Sequence, residues 1–318
     1  MRDLFEMNDK NSILTGIEAI KKNKLQEAEE IFTNLLIQNP LDPEINHFLG
    51  ITFQLNNNLE NALKYFQKAT EINPNFAEAQ KNLGNIFYRF GRIDEAEIAY
   101  LKSINLDPKL EEAKINLKIV LEQKKVVSWV SKNSRSVKKK NKISNINTYI
   151  TERKVENNLL DELYKINTME LNETKDIRFG KGKCSSDLKL FEQNNKLIKL
   201  VADDISNIVK DVVNSEIYVV ESFLNILQTN SGTKPHKHLV PFDKKNGLDK
   251  QKYSLTYYVS VGDQAVSEPG ILKLYDPDEE ILPSNGTLVI IPSGRTHSSS
   301  YNGKKDRVMI GVNFYSLN

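Results

Sequence analysis

Four kinds of residue recur every 34 positions in the first third of this chain, and no other feature limits its fold as tightly. Gly16, Gly50 and Gly84 keep the period, as do Ala28, Ala62 and Ala96, the aromatics Phe32, Phe66 and Tyr100, and the prolines Pro40, Pro74 and Pro108. A repeat of this length is a supersecondary unit stacked on copies of itself, because one unit alone cannot bury its apolar face. Its content is a helix pair. Glycine and alanine let two antiparallel helices approach closely, and the aromatic fills the gap towards the next pair. Proline, lacking an amide hydrogen and clashing with the preceding turn, ends the second helix. Three such units span residues 9–110, and KLEEAKINLKIVLEQ reads as a helix capping the last.

This pattern resembles the tetratricopeptide repeat family, and with the cap it covers residues 9–124. The resemblance implies an α-solenoid whose concave groove takes a peptide or another protein. That is an interaction role, not chemistry. His47 falls inside the second unit and is expected to be a packing or surface histidine.

Composition bounds the rest. The chain has 318 residues, 39% apolar and 27% charged, which is enough for two folded units with separate cores. Its 44 basic and 42 acidic side chains leave a net charge of +2, so no global field argues for nucleic acid or an anionic membrane as a partner. No stretch approaches the roughly 20 apolar residues of a membrane span, and the opening MRDLFEMNDKNSILTG lacks the apolar core of a signal peptide. A single cysteine, Cys184, excludes an internal disulfide framework and fits a reducing compartment, so a cytoplasmic protein is expected.

Residues 125–148 are rich in Lys, Arg, Ser and Asn around the only tryptophan, Trp129, and read as a basic, solvated linker. A second domain is expected over residues 149–318. NNLLDELYKINTM and SDLKLFEQNNKLIKLVADDISNIVKDVVN have helical apolar spacing. FGKGKC lacks the spacing of a phosphate loop and is assigned no nucleotide. From residue 217 the pattern changes to short runs rich in Tyr, Val, Ile and Leu, broken by Gly, Pro, Asn and Asp. YNGKKD reads as a hairpin before the last of them. The overall class is α+β: an α-solenoid, then a β domain preceded by helices and closing as a barrel or sandwich.

Three of the four histidines lie in this second domain: His236, His238 and His297. If PHKHL is extended, His236 and His238 point to one side, about 7 Å apart along the strand, and Lys237 points away. His297 follows GTLVIIPSGRT, a strand ending in a turn that can return it to the same mouth. One metal site accounts for all three; unrelated surface or core histidines are the alternative.

PHKH after TNSGT, then YSLTYYVS, GILKLYDP, LPSNGTLVIIPSGRTHSSS and DRVMIGVNFYS, together resemble the helix-flanked double-stranded β-helix, or jelly roll, of the 2-oxoglutarate- and Fe(II)-dependent oxygenases. The likeness is densest over residues 220–318 and is nearest to prolyl-hydroxylase-like members with a His-x-His word. It implies Fe(II) held by His236, His238 and His297, with 2-oxoglutarate and O₂ as cosubstrates. Arg307 stands at the offset from His297 where the family carries the basic residue that binds the far carboxylate of 2-oxoglutarate. The implied reaction is oxidative decarboxylation to succinate coupled to hydroxylation of a C–H bond. The substrate is unknown, and the repeat array suggests a protein or peptide.

Position 238 departs from the family, most of whose members carry Asp or Glu there. Three histidines also suit Zn(II) or an Fe(II) enzyme that does not use 2-oxoglutarate. GTLVIIPSGRTH also resembles the second cupin motif, although the first motif lacks its Glu. Asp243 offers a carboxylate if HLVPFD folds back. Three functions therefore stay open: the oxygenase, a cupin-type three-histidine metal enzyme, and a repeat scaffold with an inactive barrel. Tyr253 and Tyr257 are expected on one strand face and Tyr258 on the other, filling the barrel. PFDKKNGLDKQK between the histidines and the next strand reads as a substrate lid.

Overall fold

The computed structural model describes residues 2–133, 148–171 and 182–317, with side chains from residue 11 onward. Two compact units, Met1–Lys125 and Val126–Asn318, divide the chain.

Three helix pairs build the first unit: α1 (Arg2–Lys21) with α2 (Leu25–Gln38), α3 (Pro43–Leu55) with α4 (Leu59–Ile72), and α5 (Ala77–Arg89) with α6 (Ile93–Leu106). Each second helix stops just short of Pro40, Pro74 or Pro108, where an imide nitrogen cannot continue the ladder. Asp42 caps α3 by accepting from the amides of Glu44 and Ile45, with Pro43 in the first turn. Periodic glycines mark the closest approach. A Cβ built on Gly16, Gly50 or Gly84 would lie 2.5, 2.7 or 2.6 Å from the ring of Phe32, Phe66 or Tyr100. The repeated aromatic therefore seats first on the glycine of its own pair, not in the gap to the next pair as the sequence suggests. Phe32 reaches that gap as well, stacking on Phe48 at 5.5 Å.

His47 is a packing residue, as expected. Its Nε2 accepts from the Asn82 amide at 2.8 Å, and Phe48, Phe66 and Phe76 surround its ring. Helix α7 (Glu111–Asn133) runs through the capping segment and continues, carrying Trp129. Residues 125–133, read from sequence as the start of a linker, are thus helical. The rest of the basic stretch, 134–147, lies outside the described residues, as does the first half of FGKGKC.

Among its described residues the second unit has two antiparallel sheets. The larger runs β1-β9-β6-β11-β4-β3-β2, from β1 (Tyr149–Glu152), β9 (Thr287–Pro292), β6 (Lys252–Ser260), β11 (Arg307–Ser316), β4 (Ile217–Leu227), β3 (Lys183–Ser185) and β2 (Thr168–Glu170). The smaller runs β5-β10-β7-β8, from β5 (Ser231–His236), β10 (His297–Tyr301), β7 (Pro269–Leu274) and β8 (Glu279–Ile281). Alternation along each strand sorts side chains into two layers. On β11, Val308, Ile310, Val312 and Phe314 join Leu255, Tyr257 and Ile290 against α8 (Leu159–Leu163) and α9 (Lys196–Val213). Met309 faces the other way. With Leu227, Tyr258, Val289 and Ile291 it meets Leu272, Leu274, Ile281 and Tyr301 of the small sheet. Burying such side chains contributes about 1.5–3 kcal/mol each.

Tyr253 and Tyr257 lie on the helix side and Tyr258 between the sheets, as the alternation requires. YNGKKD differs from expectation. It carries the chain from β10 in the small sheet to β11 in the large one, so it is a crossover, not a hairpin turn.

Candidate metal centre

His236 and His297 are directly opposed cross-strand neighbours, the last residue of β5 and the first of β10. Their ring centroids are 4.4 Å apart, close enough for both to face one ion. His238 arrives differently. The strand stops at His236, and His238 is held beyond it because its amide donates to the Ser293 carbonyl at 2.9 Å. Its ring centroid then stands 5.0 Å from that of His236 and 5.1 Å from that of His297. One ligating atom from each of the three lies within 4.8 Å of the others. The expectation that PHKH is extended throughout therefore holds only as far as His236, and the turn before β10 brings His238 to the other two rings.

The donor set fits a transition metal. The Nδ1 of His236 lies 2.7 Å from the Lys234 carbonyl, so a proton there leaves Nε2 with its lone pair. His297 is placed the same way by the Arg295 carbonyl at 3.3 Å. Burial, reinforced by neighbouring His236, lowers the His297 pKa from 6.5 to about 4, so this ring is a neutral ligand at ordinary pH. All three side chains are half-buried, which leaves a route in.

Asp243 is not among the converging residues. It lies in the first turn of α10 (Pro241–Lys245), is 0% exposed, and is paired with buried Lys252 at 3.1 Å. Its carboxylate also accepts from the Tyr315 hydroxyl and the Val240 amide. The segment read as a lid is accordingly anchored at Phe242, Asp243 and Leu248, all buried.

Arg307 is on the inner face of β11 and 0% exposed. Its guanidinium lies between the rings of Tyr258 and Tyr301, 5.3 Å from each, and donates to the carbonyls of Val261, Gly270 and Pro269. Gly270 makes this possible. At φ +84 it adopts a conformation that favours glycine, and a Cβ there would collide with the guanidinium. Burial lowers the Arg307 pKa, opposed by Tyr258 and Tyr301. No carboxylate among the described residues forms an ion pair with it.

Sequence reasoning missed the polar residues behind His238: Glu221, Ser254, Ser293 and Asn313. The available signal was weak. Asn313 shares the inner face with Arg307, but its partners come from strands far away in the chain.

Among known families, a "TPR repeat" profile matches residues 50–91 and a "Tetratricopeptide repeat" profile matches residues 77–110. The N-terminal region therefore contains tetratricopeptide repeats. No curated protein matches the chain. Solved repeat structures are similar, three among them as follows. The Sgt2 TPR domain from Aspergillus fumigatus shares 16% identity over 44% of this chain and 91% of that one, at a TM-score of 0.38. The Arabidopsis OM64 TPR domain shares 18% over 36% and 94%, at 0.35. The first TPR of Spaghetti (RPAP3) bound to HSP90 peptide SRMEEVD shares 18% over 36% and 90%, at 0.35.

Proposed function

We propose that the strand-rich unit is a double-stranded β-helix that binds Fe(II) through His236, His238 and His297 and acts as a 2-oxoglutarate-dependent dioxygenase, a hydroxylase. The convergence of these three imidazoles from β5, the segment after it and β10 is the observation that carries the reading. Three protein ligands leave positions for a 2-oxo acid and O₂, and bound iron would activate O₂, the oxidant for both decarboxylation of the 2-oxo acid and C–H hydroxylation. The chain's own residues do the rest. His236 and His297 are aimed by backbone carbonyls. Arg307 provides a buried positive charge without an ionised partner, which a carboxylate of the cosubstrate would compensate. The repeat array would take a protein or peptide partner, as its family profile suggests, and that partner is the candidate substrate.

One observation favours a second reading. The Arg307 donors are already met by three carbonyls, so a cupin-type three-histidine enzyme would need nothing from this residue. Titrating 2-oxoglutarate into anaerobic Fe(II)-loaded protein separates the two. A saturable visible charge-transfer band, weakened in Arg307→Ala and lost in His297→Ala, supports the oxygenase. Bound iron without a band supports the cupin-type enzyme.

A further inference from the structure

The three imidazoles do not hang from one sheet. His236 and His297 lie on paired strands of the small sheet, whereas His238 is held from the large one by both of its main-chain groups. Its amide donates at 2.9 Å to the carbonyl of Ser293, the residue after β9, and its carbonyl accepts at 3.0 Å from the ammonium of Lys252, the first residue of β6. The Ser293 amide in turn donates to the Lys252 carbonyl at 2.9 Å, so Lys252, Ser293 and His238 close a ring of hydrogen bonds. An anchor on the main chain touches neither ring nitrogen and leaves the imidazole its lone pair.

The ammonium is kept in place from behind. The Lys252 side chain is 9% exposed, and a buried cation is costly without a counter-charge. Asp243, 3.1 Å away, supplies it and is itself held by the Tyr315 hydroxyl and the Val240 amide. Tyr315 on β11 is the register partner of Lys252 on β6, so both are mounted on one ladder. A hydrogen bond from a charged donor is roughly twice as strong as one between neutral groups. The ion pair alone would fasten α10 to the large sheet; the donation to His238 links it to the histidines.

We propose that Lys252 is a positioning residue for the metal centre: it holds the His238 main chain to the large sheet and so fixes the third imidazole against the two that the small sheet carries. This rests on the three-histidine reading above. Outer groups that place metal ligands typically alter affinity by about 10- to 100-fold when removed. The test is a titration of the full-length metal-free chain with Co(II), following its visible d–d absorption, for the wild type, the double variant Lys252→Met with Asp243→Asn, and Tyr315→Phe. The double variant removes both charges together, so neither is left buried and unpaired, and its fold is expected to survive. It should bind about 10- to 100-fold more weakly, with an altered spectrum. Tyr315→Phe loosens Asp243 but leaves the ammonium on the His238 carbonyl; it should unfold at lower urea and bind Co(II) as the wild type does. If the double variant loses its far-UV fold signal, Lys252→Gln with Asp243→Asn is read in its place with the same expectation, because the glutamine amide stops one bond short of the His238 carbonyl. Unchanged affinity and spectrum in the double variant overturn the proposal, and an equal loss in Tyr315→Phe overturns it in favour of a general loosening of the sheet. A wild type that takes up no Co(II) overturns the three-histidine reading itself, and this inference with it.

Discussion

Acidification should destabilise the repeat unit through His47, and the size of the effect follows from its surroundings. The ring is 6% exposed, has three aromatic neighbours and accepts from the Asn82 amide. Burial first, and the charge of Lys81 second, lower its pKa from 6.5 to about 4. Above pH 6.5 the imidazole is neutral in both folded and unfolded chains, and the full stability is present. Below it the unfolded chain binds a proton that the native protein refuses until about pH 4, so stability falls across that window as pH drops. At about 1.4 kcal/mol for each unit, the whole window is worth roughly 3 kcal/mol, and about 2 kcal/mol is lost by about pH 5. Urea titrations of the full chain, read by helical circular dichroism at about pH 7.5 and about pH 5, measure this. His47→Gln keeps a partner for Asn82 but does not titrate, so the difference between the two proteins cancels the other ionising groups. The wild type should lose about 2 kcal/mol more than the variant on acidification. Equal losses would refute the argument, because His47 would then be free to protonate in the native state.

Three further outcomes are expected. Asp243→Asn leaves buried Lys252 without its counter-charge and should cost about 3–5 kcal/mol in urea denaturation, far more than a surface pair. Gly50→Val drives a side chain into the Phe66 ring and should cost about 1–3 kcal/mol, with partial recovery in the double variant Gly50→Val and Phe66→Leu. Gly270→Ala imposes about 1–2 kcal/mol of backbone strain at φ +84 and displaces the Arg307 guanidinium; thermal melting should show the first effect, and weakened 2-oxoglutarate binding to Fe(II)-loaded protein the second.

Much of the repeat unit was legible because its contacts are local. Gly50 and Phe66 lie in adjacent helices, and Pro74 ends the second of them, so the period itself encodes which residues meet. Strand alternation was equally readable: Tyr257 and Tyr258 separate to opposite faces of β6 because neighbouring side chains in a strand must. The site was legible in part. Three histidines could be named, but His238 is seated by Ser293, and Glu221 by its register with Asn313, and these pairings join segments distant in the chain. β10 escaped notice because SSSY lacks the apolar run of a strand; its pairing with β5 and β7 makes it one.

By itself, then, the sequence determined the helix pairs, the faces of the strands and the identity of the imidazoles, since each depends on residues a turn or a strand apart. Tertiary structure alone decided that YNGKKD crosses between sheets and that Asp243 is consumed by Lys252. It alone decided that Arg307 lies across Gly270 between two tyrosines, and that three half-buried rings come within reach of one ion. Such outcomes depend on sheet register and on which buried polar groups find partners, and both are settled only when the whole layer packs.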